Sequence, residues 1–176
     1  MVNIIYIFWM YVILFAVIGV MRGWAKELLV SFSVILALAM NHLLRTYIEL
    51  ISSLPNEAIS LFWTRTLITV ALVYFGYQTV GNIGALSGKA RKEKLQDALF
   101  GGVMGGMNGY LIIGTLWTYL DDAGYPFDKI FVQDFPPEIL NEVGRMMKTM
   151  PPQFFGDPGI YFAVIIAFIF IIVVYI

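Results

Sequence analysis

Asp121 and Asp122 stand side by side at the end of a long charge-free run, and two adjacent carboxylates have the chemistry of a proton relay. The competing reading, solvated acids where a helix leaves the membrane, asks less of the chain and is preferred. His42, the only histidine, carries a group that can ligate a haem or pigment or pass a proton. One imidazole excludes a bis-histidine haem within the chain but leaves a single-ligand pigment site open. Its structural alternative is a hydrogen bond to a neighbouring helix or to interfacial water. Arg22, Lys26 and Glu27 fall in a tight hairpin and read as an interfacial clamp. In that clamp Arg22 snorkels to headgroups and Glu27 favours the start of the following helix. Asp97 reads the same way for a later helix, and Arg65 is expected to snorkel or pair with Glu57 or Glu49. The cluster Lys89, Arg91, Lys92 and Lys94 is expected to touch anionic lipid headgroups, each residue contributing up to ~1 kcal/mol.

The chain has no cysteine, which excludes disulfides, thiolate metal sites and cysteine nucleophiles. No nucleophile–base pair, metal-ligand cluster or phosphate loop is visible in the sequence. A net charge of −1 gives no case for nucleic acid.

The elements that must position these residues are apolar. Sixty per cent of the 176 residues are hydrophobic and 13% are charged, against roughly 25% charged in a soluble domain. Uncharged stretches propose five membrane spans, at about 4–21, 28–44, 66–88 (or 61–83), 98–120 and 158–176. The first has its basic residues after the apolar run, so it reads as a retained helix and not a signal peptide. Within the fourth span Gly101, Gly105 and Gly109 recur every four residues, with a second pair at Gly102 and Gly106. Glycines so spaced share one helical face and let another backbone approach closely. Gly19 and Gly23 repeat the pattern weakly.

Between the fourth and fifth spans, residues 121–157 carry seven acidic and three basic residues. Asp134, Pro136 and Pro137 signal a helix start there, and Ile139, Leu140, Val143, Met146, Met147 and Met150 follow at helical spacing. This predicts a short amphipathic helix at the membrane surface or against a partner, ended by Pro151 and Pro152. The basic loops after spans one and three fall on one side, which the positive-inside rule makes cytoplasmic. The expectation is an N-terminus outside and a C-terminus inside.

Two motifs carry a family resemblance. Gly19-x-x-Arg22-Gly23-Trp24-x-Lys26-Glu27 is similar to the G-x-x-R-G-[aromatic]-x-[RK]-E motif of the colicin V production protein (CvpA) family. Asp97-x-x-x-Gly101-x-x-x-Gly105-x-x-Asn108-Gly109 resembles that family's D-R-x-x-G-x-x-F-G-x-x-R-G. Ala98 and Asn108 stand where the family has arginines. The resemblance covers about 1–120 and implies a four-helix domain in the bacterial cytoplasmic membrane, associated with bacteriocin production and envelope physiology.

The expected fold is therefore all-α: a CvpA-like membrane domain over 1–120, an extracytoplasmic segment over 121–157 and a last transmembrane helix over 158–176. The expected function is non-catalytic, an accessory or scaffold subunit of a larger membrane complex, for example an energy-transducing one. It would assemble with itself or other membrane proteins through the glycine face. The alternative is a small transporter or channel, which needs polar groups deep in the bundle; the candidates are Ser31, Ser33, Thr69, Gln78, Asn82 and Asn108. No cofactor is expected, with a bound lipid, quinone or pigment left open.

Overall fold

In a computed structural model of the chain, residues 4–79, 91–127 and 136–175 are described, and these contain eight helices and no strand. They are α1 (Ile4–Arg22), α2 (Trp24–Tyr47), α3 (Glu49–Ser52), α4 (Ile59–Thr79), α5 (Arg91–Asp122), α6 (Pro137–Met147), α7 (Pro151–Phe154) and α8 (Gly159–Tyr175). Lys89, Asn82 and Asp134 lie outside the described residues.

Four helices, α1, α2, α4 and α5, are long and apolar enough to cross a membrane, and the chain is a multi-pass membrane protein. The third span begins at Ile59, near the start of the 61–83 alternative and not the 66–88 one, so Arg65 lies inside the helix. A helix tolerates that charge because Asp122 of α5 neutralises it. The fifth, α8, has 17 described residues, about 26 Å at 1.5 Å per residue.

The bundle is organised around two contacts. α1 lies along α5 in the most extensive pairing of the molecule, and α2 packs on α4, α5 and α8 together. A single residue, Gly23, joins α1 to α2 at φ +86° and ψ 157°. That combination is open essentially to glycine alone, which is why so short a hairpin needs it. Between α2 and α5, Val30, Val34, Leu111 and Ile112 form a dry apolar layer.

α6 starts at Pro137, whose missing N–H costs nothing in a first helical turn. The chain itself supplies the partner for its apolar face. Val143 is buried with Ile5 and Phe8 of α1 and Trp117 of α5, and Met146 and Met147 pack against that cluster. Pro151 and Pro152 do not end α6, which stops at Met147; they open α7. Met150 and Pro151 sit against Gly114 of α5, where a Cβ would stand 2.8 Å from the Met150 sulfur.

Candidate functional site

The glycine ladder of α5 faces α1. A Cβ on Gly105 would stand 2.8 Å from Gly19 Cα, and one on Gly19 would stand 2.8 Å from Gly105 Cα. A Cβ on Gly101 would come within 3.0 Å of Gly23 Cα, and one on Gly109 within 3.0 Å of Val12 Cα. These are backbone-to-backbone approaches that no larger residue permits. Gly102 and Gly106 border the seam more loosely: a Cβ would meet Val20 Cγ2 at 2.8 Å and Ala16 Cβ at 3.5 Å, respectively. The ladder's neighbour is thus α1 of the same chain. The face expected to receive another subunit is filled by α1 itself.

The close approach draws the α1–α2 hairpin onto α5 and buries a charge. Glu27 is 0% exposed. Its Oε2 accepts a hydrogen bond of 2.8 Å from Asn108 Nδ2, which also donates to the Glu27 carbonyl at 2.8 Å. The Ser31 hydroxyl lies 2.6 Å from Asn108 Oδ1 and 3.2 Å from the Glu27 carbonyl. Oε1 faces Arg22 Nε at 3.2 Å as an ion pair that lacks the direction of a hydrogen bond. The Arg22 guanidinium also lies 4.2 Å above the Tyr77 ring of α4, a cation–π distance.

Two expectations are corrected here. Arg22 does not snorkel; its side chain is 23% exposed and its head turns inward to Glu27 and Tyr77. Glu27 does lie in the first turn of α2, as expected, but it is an interior group and not a solvated one, because the glycine seam removes the space water would occupy. Asp97 stays exposed and accepts a hydrogen bond of 3.1 Å from the Trp24 N–H, capping α2 from across the seam. A Cβ on Gly23 would meet that carboxylate at 2.5–2.8 Å. Lys26 and Lys94 are exposed. Arg91 and Lys92 lie in the first turn of α5.

A second polar group fills the other end of the α2–α5 interface. Asn41 Nδ2 donates toward Thr69 Oγ1 at 3.2 Å and Tyr119 Oη at 3.1 Å. Arg65 Nη1 donates to Asp122 Oδ2 at 2.8 Å, and its guanidinium lies 5.3 Å from the Tyr119 ring. Arg65 therefore pairs with neither Glu57 nor Glu49, and Asp122 is not a free solvated acid. Both corrections have one cause: the α4–α5 packing brings residues 57 apart in sequence into contact. Nothing in the spacing of either residue announces the other.

His42 Nε2 lies 3.2 Å from Tyr161 Oη of α8, with the rings edge to face. Trp117 Nε1, near the end of α5, donates to Tyr125 Oη, just beyond the span, at 2.9 Å. Burial, reinforced by the Asp121 carboxylate, pushes the Tyr125 phenol above its ordinary range. Among the described residues no group of three or more metal-ligating side chains converges.

A family model described as colicin V production protein matches residues 5–134. The match takes in α1 to α5 and stops before α6. No curated protein and no solved structure matches the chain.

Proposed function

From the premise that this chain belongs to the colicin V production protein family, we propose that it is a non-catalytic accessory or scaffold subunit of a larger membrane complex. The observation that carries the reading is the closed polar cluster at the glycine seam. Glu27, Arg22, Asn108 and Ser31 spend their bonds on one another and on α1, α2 and α5. Such a network fixes helices in place, and it presents no free nucleophile or acid to a substrate. The appended α8, apolar throughout and lying along α2, adds surface without adding chemistry. The setting is the cytoplasmic membrane of a bacterium, with the basic loops inside, the N-terminus outside and the C-terminus cytoplasmic.

Purification of the full chain in mild detergent is expected to bring down stoichiometric partner subunits. A clean monomer from native membranes overturns the scaffold reading. Protease accessibility of a C-terminal tag from outside the cell overturns the orientation.

The alternative, a small transporter, is favoured by a separate observation. Two buried polar groups flank the dry layer of Val30, Val34, Leu111 and Ile112, and the Thr115 hydroxyl is buried there without a hydrogen-bond partner. Solute flux in proteoliposomes that Asn108→Leu abolishes would establish it in place of the scaffold.

A further inference from the structure

One face of α2 carries Leu28, Phe32, Ile35, Leu38, His42 and Arg45 at intervals of three and four, so they form a single stripe. Its lower part lines a wholly apolar groove of about 280 Å³, closed on the far side by Ala163, Ala167 and Phe170 of α8. Its upper part lines a cavity of about 400 Å³ with Arg45, Arg65, Asp122 and Gln153 on the wall. Phe155 borders both spaces, and α8 runs past both from Ile160 to Ile171, a distance of roughly 16 Å. The two spaces lie end to end between α2 and α8 with Phe155 at their common border, one polar at the helix ends and the other apolar toward the middle.

The charges of the polar part do not balance. Arg65 is satisfied by Asp122 at 2.8 Å. Arg45 faces the same positive neighbour, and its Nη1 is buried with no hydrogen-bond partner among the described residues. Two guanidiniums therefore share one carboxylate, and one Arg45 nitrogen is shut off from solvent without an acceptor. A guanidinium fork is the natural partner of a phosphate oxygen pair. The cavity also lies at the helix ends, between the last turns of α2 and α5 and the first turn of α8. On α8 the small residues Ala163 and Ala167, four apart, keep the apolar part open.

We propose that these two spaces between α2 and α8 together bind one anionic phospholipid, its phosphate head on Arg45 and Arg65 and an acyl chain beside Ala163 and Ala167. A neutral apolar ligand leaves Arg45 unmatched, and a free oxyanion leaves the groove unused. Ser31 borders the groove and also belongs to the Glu27 cluster, but Arg45, Arg65, Ala163 and Ala167, on which the lipid is placed, do not, and the site stands independently of the scaffold reading.

Native mass spectrometry of the full chain in detergent micelles, with phosphatidylglycerol, phosphatidylcholine or inorganic phosphate added, tests this. The expected result is one retained phosphatidylglycerol per chain, favoured at least roughly tenfold over phosphatidylcholine. Arg45→Gln should lower retention by about the same factor, and Arg45→Lys, which keeps the charge and the fold but not the fork, by less. Ala167→Phe should weaken the lipid while leaving the arginines in place, and Asp122→Asn, which frees Arg65, should strengthen it. Equal retention by wild type, Arg45→Gln and Ala167→Phe overturns the proposal. So does phosphatidylcholine binding as well as phosphatidylglycerol. Phosphate binding at the same strength as phosphatidylglycerol, indifferent to Ala167→Phe, would make this a free-anion site and overturn the lipid.

Discussion

Replacing Gly105 and Gly106 by alanine, one at a time, separates close backbone packing from helix propensity. Each change adds one methyl to the same turn of α5, and each should gain about 1 kcal/mol, because glycine is the poorer helix former. At Gly106 the new Cβ meets Ala16 Cβ at 3.5 Å, an ordinary contact, so the gain survives. At Gly105 it stands 2.8 Å from Gly19 Cα and runs into the Phe15 carbonyl. Neither obstacle can rotate away. Overpacking costs typically 1–3 kcal/mol, and rigid backbone on the far side argues for about 3. The net expectation is a loss of about 2 kcal/mol for Gly105→Ala against a gain of about 1 for Gly106→Ala. A difference of about 3 kcal/mol is roughly a hundredfold in the unfolding equilibrium. Reversible unfolding by dodecyl sulfate, followed by tryptophan fluorescence in mixed micelles, reads both variants against wild type. If Gly105→Ala proves as stable as Gly106→Ala, α1 and α5 are not in backbone contact and the buried position of Glu27 loses its cause.

Other variants probe the polar groups. Glu27→Leu should destabilise the chain by about 3–5 kcal/mol in the same assay, because it strands Arg22 and Asn108 in the interior. Glu27→Gln keeps the Asn108 bond and should cost visibly less; equal losses would show that Asn108 contributes nothing. Gly23→Ala combines an unfavourable backbone region with a Cβ against Asp97, and should lower stability by about 2–3 kcal/mol. Asp97→Ala removes only the Trp24 cap and should cost about 1 kcal/mol. Asp122→Asn weakens a half-wet ion pair and should cost about 1–2 kcal/mol, whereas Asp121→Asn, which leaves the Arg65 pair intact, should cost less; the order of the two unfolding midpoints decides.

What the sequence discloses about this fold is what repeats locally. The four long spans follow from uncharged length, and the close approach on α5 follows from glycines four apart, since both properties belong to one helix at a time. Contacts between helices are a different matter. Glu27 looks like any acid in a first helical turn, and only Asn108, 81 residues away, makes it an interior group. Arg65 likewise blurred the start of α4, because the charge that marks a helix end in isolation is cancelled here by Asp122. The amphipathic face of α6 was plain, but a periodic stripe does not say whether lipid, another subunit or α1 covers it. Gly114 escaped notice because it falls outside the four-residue repeat, and its close neighbours arrive from Met150 and Pro151.

The pairing of α1 with α5 bears on how the molecule is made. α1 leaves the ribosome well before its principal partner, which begins at Arg91 and ends at Asp122. While the intervening chain is being synthesised, the notch around Gly19 lacks the α5 backbone that fills it in the finished fold. The hairpin of α1 and α2 must therefore wait in the bilayer as an unfinished wall, and the bundle closes only when the fifth helix arrives. Cutting the chain between α4 and α5 should accordingly yield two fragments that recover their shape only when they meet in one membrane.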